Sequence, residues 1–348
     1  MTAFDELLTW QESSTSGEAI AAALEAADLA PSAALDVLGA AQRIVVTGAG
    51  SSYYLAQAVA AAARASLGRA VIAAPLSELI LRPGGVLVGD EPVVIISRSG
   101  STSEAVTVAE RMSATGHPTV AVTCRAESPL AALADVTLVS PTGDEAAIVM
   151  TRSFASMLAL LLAVVARLAD DDELASDLRR LPERWPEATE AAATGRRLGE
   201  TNWSRVVILG GGPAIGIANE WGLKLTETSQ VPTSAYEPLE FRHGPISVCE
   251  PGVLVVGLVG GAGVADEAAV LAETAELGAA TWLIARDEDE ARGAGRTVSL
   301  IGGGLHPVAR LPLLLHPAHA LALRIALARG RDPDAPRHLG QVVILGAE

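Results

Sequence analysis

Apolar residues in this chain gather in short unbroken runs, each followed by a glycine-rich turn and then by a longer stretch of helical spacing. Arg43-Ile-Val-Val-Thr-Gly-Ala-Gly50 is the first such run, and Arg205-Val-Val-Ile-Leu-Gly-Gly-Gly212 repeats it 162 residues later. The same offset sets Val93–Ile96 against Val255–Leu258 and Thr119–Thr123 against Thr281–Ala285. It also sets the helix-opening Ser103-Glu104-Ala105 against Ala265-Asp266-Glu267. Matched blocks without slippage identify an internal duplication. A short apolar run with no polar alternation fits a strand buried on both faces, as in a parallel sheet covered by helices. Parallel neighbours need right-handed crossovers, which the helical stretches supply. The predicted fold class is α/β, with two tandem doubly wound parallel-sheet domains. Residues 1–40 are expected to be a helical segment, 41–170 the first domain, and 171–200 a helical linker interrupted by Pro182 and Pro186. Residues 201–348 form the second domain, ending in the proline-studded tail Asp332-Pro-Asp-Ala-Pro336.

Composition narrows the function without changing this architecture. Half of the 348 residues are hydrophobic and 19% are charged, the reverse of a disordered composition and enough apolar material for two cores. The formal charge of −16 argues against nucleic acid or an anionic membrane as partner. A small phosphorylated ligand stays compatible, because backbone amides and hydroxyls bind phosphate locally. Two cysteines, Cys124 and Cys249, lie in or beside apolar runs and read as inert thiols. Residues Met1–Ser16 carry Asp5, Glu6 and Glu12 and lack a basic region before an apolar core, so no signal peptide is read there. The longest apolar run, around Met157–Ala166, is too short to span a bilayer, and a cytoplasmic location is expected.

Ligands of open parallel sheets sit beyond the carboxyl ends of strands. In the first half those turns are rich in hydroxyls: Gly48-Ala-Gly-Ser-Ser52 and Ser97-Arg-Ser-Gly-Ser-Thr102. Ser51, Ser52, Ser97, Arg98, Ser99 and Thr102 are therefore candidate phosphate ligands, and Thr151 opens a further helical run that can contribute. A lone serine would read as a helix cap, but two such turns favour phosphate. In the second half Pro213 and Ala214 replace the serines, and Val259-Gly-Gly-Ala-Gly-Val264 replaces the serine loop, so one phosphate site is expected. A dinucleotide cofactor is not: Tyr53 and Ile215 hold the last fingerprint positions, and no acidic residue follows near Val71–Ala74.

The second half carries charge instead. Glu220, Lys224 and Glu227 fall on one face of the helix opened by Pro213, whereas Ser52–Arg64 in the first half has no charge before its end. A solvated face with an ion pair is the plainer reading, but Leu223 and Leu225 flank the lysine. Downstream, Tyr236-Glu-Pro-Leu-Glu-Phe-Arg-His-Gly-Pro245 reads as a loop bearing His243, which is either functional or a structural hydrogen-bonder. Of six histidines only His316 and His319 have metal-like spacing, and no carboxylate or cysteine completes a set, so no metal is expected. No G-x-S-x-G supports a hydrolytic triad. Metal-free proton transfer remains.

Taken together, these segments resemble the sugar isomerase (SIS) domain family over roughly residues 40–345, in particular proteins with two such domains in tandem. Those include the isomerase half of glucosamine-6-phosphate synthase and the stand-alone tagatose/galactosamine-6-phosphate isomerase–deaminase group. The most specific segments are Gly48–Ser52, Ser97–Thr102, Val149-Met-Thr-Arg-Ser-Phe154 and Leu223-Lys-Leu-Thr-Glu227, with Arg242-His-Gly-Pro245 sixteen residues on from Glu227 to His243. The resemblance implies that Ser52, Ser97, Ser99 and Thr102 hold the phosphate with Arg98 and Thr151 nearby. It implies that Glu227 shuttles a proton between C1 and C2, Lys224 stabilises the charge, and His243 assists ring opening from a neighbouring subunit of a homodimer. Gln341 stands where the synthase has its Schiff-base lysine, and no glutaminase domain precedes residue 40. The expected activity is thus aldose–ketose isomerisation of a sugar phosphate, with an amino sugar 6-phosphate and deamination as the specific form. Alternatives are a fructosamine-6-phosphate deglycase and a non-catalytic sugar-phosphate sensor.

Overall fold

The computed structural model describes residues 3–261, 263–292 and 296–344, which form two compact units. The first comprises Thr15–Ala146, Arg152–Pro182 and the chain from Gly340; the second comprises the chain up to Ser14, Ala147–Thr151 and Glu183–Leu339.

In the first unit, strands β1 (Arg43–Gly48), β2 (Ala70–Pro75), β3 (Val93–Ile96), β4 (Thr119–Thr123) and β5 (Val136–Val139) form one parallel sheet in the order β2-β1-β3-β4-β5. Val45 lies opposite Val93, and Val93 opposite Thr119. Every residue of β3 and β4 is buried, as helices on both faces demand. On one face Val45, Ile95 and Ala121 pack with Val108 and Met112 of the helix Ser103–Thr115. Full burial of each Val or Ile contributes about 1.5–3 kcal/mol, and the two threonines that end β4 are buried with their hydroxyls bonded, Thr119 to Asp135 and Thr123 to the Arg98 carbonyl. The apolar run foreseen around Met157–Ala166 lies within the helix Arg152–Leu168, packed against Ser16–Asp28.

The second unit repeats the winding with β6 (Arg205–Gly210), β7 (Thr233–Tyr236), β8 (Val253–Leu258), β9 (Ala280–Ala285) and β10 (Thr297–Leu300), ordered β7-β6-β8-β9-β10 and again all parallel. Its core joins Val207, Leu209, Val255 and Leu283 to Leu271 of the helix Val264–Glu276. The helical run Leu311–Ala328 has the length and composition to cross a membrane, yet 83% of it is buried within the protein. It is a core element. The helix Leu181–Leu198 continues through Pro186, which forgoes its bond to the carbonyl of residue 182.

The duplication extends to packing at the strand ends. A Cβ at Gly48 would lie 2.5 Å from the Ser52 carbonyl carbon, and one at Gly210 would lie 2.6 Å from the Ala214 carbonyl oxygen. Both strands therefore reach their helices only through glycine. Gly210→Ala is expected to lower stability by about 1–3 kcal/mol through overpacking, measured as a lower urea midpoint with an unchanged slope.

Candidate active site

Each parallel strand delivers its carboxyl end to the same edge of the sheet, where the next helix begins with unbonded N–H groups. In the first unit β1 and β3 are neighbours at the point where the strand order reverses, the usual ligand position in such sheets. From β1 the chain turns at Gly50 (φ +54°) into the helix Ser51–Leu67; from β3 it turns at Gly100 (φ +60°) into Ser103–Thr115. A Cβ at Gly100 would lie 2.1 Å from Ser128 Oγ, so that turn is glycine for steric as well as torsional reasons.

Neither helix is capped by a side chain: Gly50 has none, and the Thr102 hydroxyl makes no cap bond. Ser97 Oγ accepts from Gly100 N at 3.2 Å and lies 3.5 Å from Thr102 Oγ1, while Ser99 Oγ accepts from Ser101 N at 3.2 Å. Ser51, Ser52, Ser97 and Ser99 are buried and Thr102 is half-buried. The structure thus brings five of the predicted residues to two adjacent turns whose amides and hydroxyls suit a small anion.

Arg98 and Thr151 are placed differently. The buried Arg98 guanidinium lies 3.5 Å from a Glu145 oxygen and donates to the Gln341 carbonyl at 3.1 Å, so its charge is neutralised inside the unit. Gln341 in turn donates its side-chain amide to the Glu145 and Ala146 carbonyls, and Ser103 N donates to Val343 O at 3.2 Å. Thr151 is buried in the segment Ala147–Thr151, which belongs to the second unit. Burial, with the nearby Glu145 and Asp144 carboxylates, pushes the Cys124 thiol up; burial does the same to Cys249. Neither suits a nucleophile.

In the second unit, β6 turns at Gly212 (φ +54°) into the helix Ala214–Ser229. Lys224 Nζ donates to Glu227 Oε2 at 2.5 Å and lies 3.4 Å from Glu220 Oε1. Lys224 and Glu220 are buried, but the Glu227 side chain keeps 19% of its exposure. The result is a carboxylate reachable from solvent, fixed against an ammonium that is not. His243 lies beyond, exposed, on the turn after the short helix Pro238–Phe241. Arg242 pins that turn through two bonds, 2.8 and 2.6 Å, to Glu273 of the helix Val264–Glu276.

The turns that lost their serines are filled. Glu267 accepts from Gly260 N, and a Cβ on Gly211 would lie 2.4 Å from its carboxylate, so this acid covers the ends of β6 and β8. Burial, and then the charges of Glu237 and Glu290, push its pKa up to about 7 against the opposing pull of Arg310. Arg310 is itself fully buried, which lowers it to about 10, and it donates to the Ile284 carbonyl at 3.1 Å. The sequence reading did not single out Glu267 or Arg310. An acid in the first turn of a helix, where the first half has Ala105, was the available signal. His316 and His319, weighed only as metal ligands, instead direct their Nδ1 atoms at Ser13 Oγ, each at 2.7 Å.

A carboxyl with a raised native pKa favours the fold when protonated. Its contribution is complete below about pH 4.5 and is lost as the pH rises through about 7. Glu267→Gln is therefore expected to gain thermal stability over the parent at about pH 8 and little at about pH 5, by unfolding scans at both; a pH-independent difference would contradict the assignment.

Residues 38–167 and 201–294 match the family model described as the SIS domain. A Streptomyces coelicolor protein provisionally named D-galactosamine-6-phosphate deaminase is 30% identical over 321 residues, which cover 86% of this chain and 82% of that protein. Glutamine–fructose-6-phosphate aminotransferase of Pseudomonas aeruginosa is 28% identical over 72% of this chain; the match spans 43% of that enzyme, less than half its length. Among solved structures, glucosamine-6-phosphate deaminase of Thermotoga maritima aligns with a TM-score of 0.80 at 26% identity, covering 97% of this chain and 99% of that one. Tagatose-6-phosphate ketose/aldose isomerase of Escherichia coli, at 24% identity, shares the fold with a TM-score of 0.85 over 100% of this chain and 99% of that one. With two matched segments that together exceed half its length, the chain belongs to the SIS domain family.

Proposed function

We propose that this protein is a phosphosugar isomerase whose substrate is an amino sugar 6-phosphate, converted to the ketose phosphate with release of ammonia. The observation that carries this reading is the Glu227 carboxylate, open to solvent and fixed against the buried Lys224 ammonium. A base for a carbon-bound proton has to be reachable by substrate, and a fixed cation beside it favours the oxyanion that forms when that proton leaves.

In this proposal the amides at the starts of Ser51–Leu67 and Ser103–Thr115 receive the phosphate with the hydroxyls of Ser51, Ser52, Ser97, Ser99 and Thr102. Arg98, paired with Glu145, is a positioning element of the β3 turn in this proposal and not a phosphate contact. Glu227 takes the proton from C2 of the open-chain aldose and returns it to C1. The carbonyl at C1 becomes an alcohol while C2 rises to the imine level through an enolamine. Water then adds to C2 and ammonia leaves, so the sequence is redox-neutral overall and consumes one water per ammonia. The exposed His243 serves ring opening, in a homodimer with a second copy of the chain. The deaminase names of the Streptomyces and Thermotoga relatives support the nitrogen-releasing form over simple isomerisation.

The protein is expected to release ammonia and ketose phosphate in equal amounts from galactosamine 6-phosphate or glucosamine 6-phosphate. Glu227→Gln should lower kcat by about 100-fold or more. Near-normal turnover in that variant, or binding of sugar phosphate without solvent-hydrogen exchange at C1 or C2, would overturn the reading.

A further inference from the structure

Beyond Leu339 the described chain has no helix or strand of its own, yet it is fastened to the β3 turn of the first unit. Apolar burial does little to hold it there, since Val343 is 55% exposed and Ile344 62%. Hydrogen bonds hold it instead. Gln341 donates its side-chain amide to the Glu145 carbonyl at 3.4 Å and to the Ala146 carbonyl, and its own carbonyl accepts from Arg98 Nη2 at 3.1 Å. Two residues on, the Val343 carbonyl accepts from Ser103 N at 3.2 Å, at the first residue of the helix Ser103–Thr115.

These contacts close into a ring. Arg98 Nη1 lies 3.5 Å from the Glu145 carboxylate, and the same Glu145 supplies a carbonyl to Gln341. One residue of the β3 turn, one of the segment after β5 and one of the tail therefore fix one another. Polar groups joined in this way strengthen each other, and opening the ring at one member slackens the rest. Arg98 stands between Ser97 and Ser99, so the ring holds the backbone that carries those hydroxyls. The Val343 carbonyl holds the amide that follows Thr102.

The internal duplication gives an independent reason to read the guanidinium as support for the turn. Ser97 N donates to Val122 O at 3.0 Å, and at the offset of 162 Val259 N donates to Ile284 O at 3.3 Å, so the two turns correspond. Position 98 corresponds to Gly260. There the Arg310 guanidinium lies 3.1 Å from the place a Cβ would take and donates to the Ile284 carbonyl at 3.1 Å. The second unit has no serine loop at this turn, yet a guanidinium reaches it from another stretch of chain. A cation present without the hydroxyls serves the turn. The tail is what the first unit adds.

We propose that Gln341 is a positioning residue for the phosphate cradle. Its amide lays Gln341–Val343 along the β3 turn, where the tail carbonyls orient Arg98 and take the Ser103 amide, and so set the serine hydroxyls for the ligand. The role in binding rests on the reading of the β1 and β3 turns as the phosphate cradle; the hold on Ser103 does not.

Amide hydrogen exchange of the full chain and its affinity for inorganic phosphate test this role. Gln341→Met keeps the length of the side chain without its donors and without added charge. In that variant Ser103 should exchange about tenfold faster or more, while the amides of β3 and β4 keep their parental rates. Parental exchange at Ser103, or an equal rise throughout the sheet, would overturn the assignment. Gln341→Lys returns donors to the same place and should bring Ser103 to within about twofold of the parent. Exchange as fast as in the methionine variant would also overturn it. Exchange is the readout for the lysine because its charge by itself attracts phosphate. Inorganic phosphate should bind Gln341→Met about fivefold more weakly or worse. Unchanged binding would refute positioning, and tighter binding would refute it by showing that the tail competes with the ligand. With ammonia release as readout, Gln341→Met should raise KM by the same factor and keep kcat within about twofold. A loss confined to kcat would refute a role in the cradle. A parent chain that binds phosphate but releases no ammonia would refute the function proposed above, and phosphate affinity and exchange would still decide the role of Gln341. A parent chain that binds no phosphate would overturn the cradle and this role together.

Discussion

Right-handed parallel winding sends every strand's carboxyl end and every following helix's amino end to one edge of the sheet. That edge collects unbonded amides and the positive ends of helices, and each has to be satisfied by solvent, by a ligand or by the protein itself. The two units meet this constraint differently. The first lines its central turns with serine hydroxyls and leaves both helices without side-chain caps. The second has closed the corresponding turns with its own carboxylate, Glu267, and balanced it with the buried Arg310. One edge carries hydroxyls and the other a buried carboxylate, on the same fold.

Closing an anion site from within has an electrostatic cost, because the carboxylate must stay buried whether or not it is charged. The raised pKa of Glu267 expresses that cost, and the Gly260 amide and Arg310 offset part of it. The same reasoning applies more severely at Lys224. An ammonium removed from water loses solvation worth several kcal/mol even after relaxation, and a single carboxylate rarely restores it. Glu220 and Glu227 both approach it on one helix, one buried and one at the surface. Removing either acid therefore disturbs a buried charge as well as a contact. A structural effect on Lys224 is thus part of what any Glu227 substitution does.

Much of this arrangement was legible in the sequence, and for a clear reason. The strand runs Val93–Ile96 and Val255–Leu258 are apolar on both faces because both faces are covered, and a 162-residue duplication shows them twice. The hydroxyl-rich turns stood out because their counterparts in the other half had lost those hydroxyls. Helical spacing placed Glu220, Lys224 and Glu227 on one face, and their contact in the structure follows from it. What the sequence could not show depends on contacts between distant segments. Arg98 reads as a phosphate ligand next to serines, but Glu145 and the Gln341 carbonyl engage it from 47 and 243 residues away in sequence. Ser13 lies 303 residues from His316 along the chain, so a histidine pair that suggested metal spacing was in fact a buried hydrogen-bond cluster.

Comparing the halves position by position also shows how charge entered an apolar scaffold. Ala58 and Ala62 are fully buried in the helix Ser51–Leu67, which packs on the helix Arg152–Leu168 carrying Phe154 and Met157. Replacing one of those alanines by lysine alone would place an unpaired ammonium against aromatic and thioether groups, at a cost of several kcal/mol. The second unit holds the charge with carboxylates one turn either side of it, Glu220 and Glu227. The charged face of the second unit's helix is thus held by its own acids, where the matching helix of the first unit stays apolar.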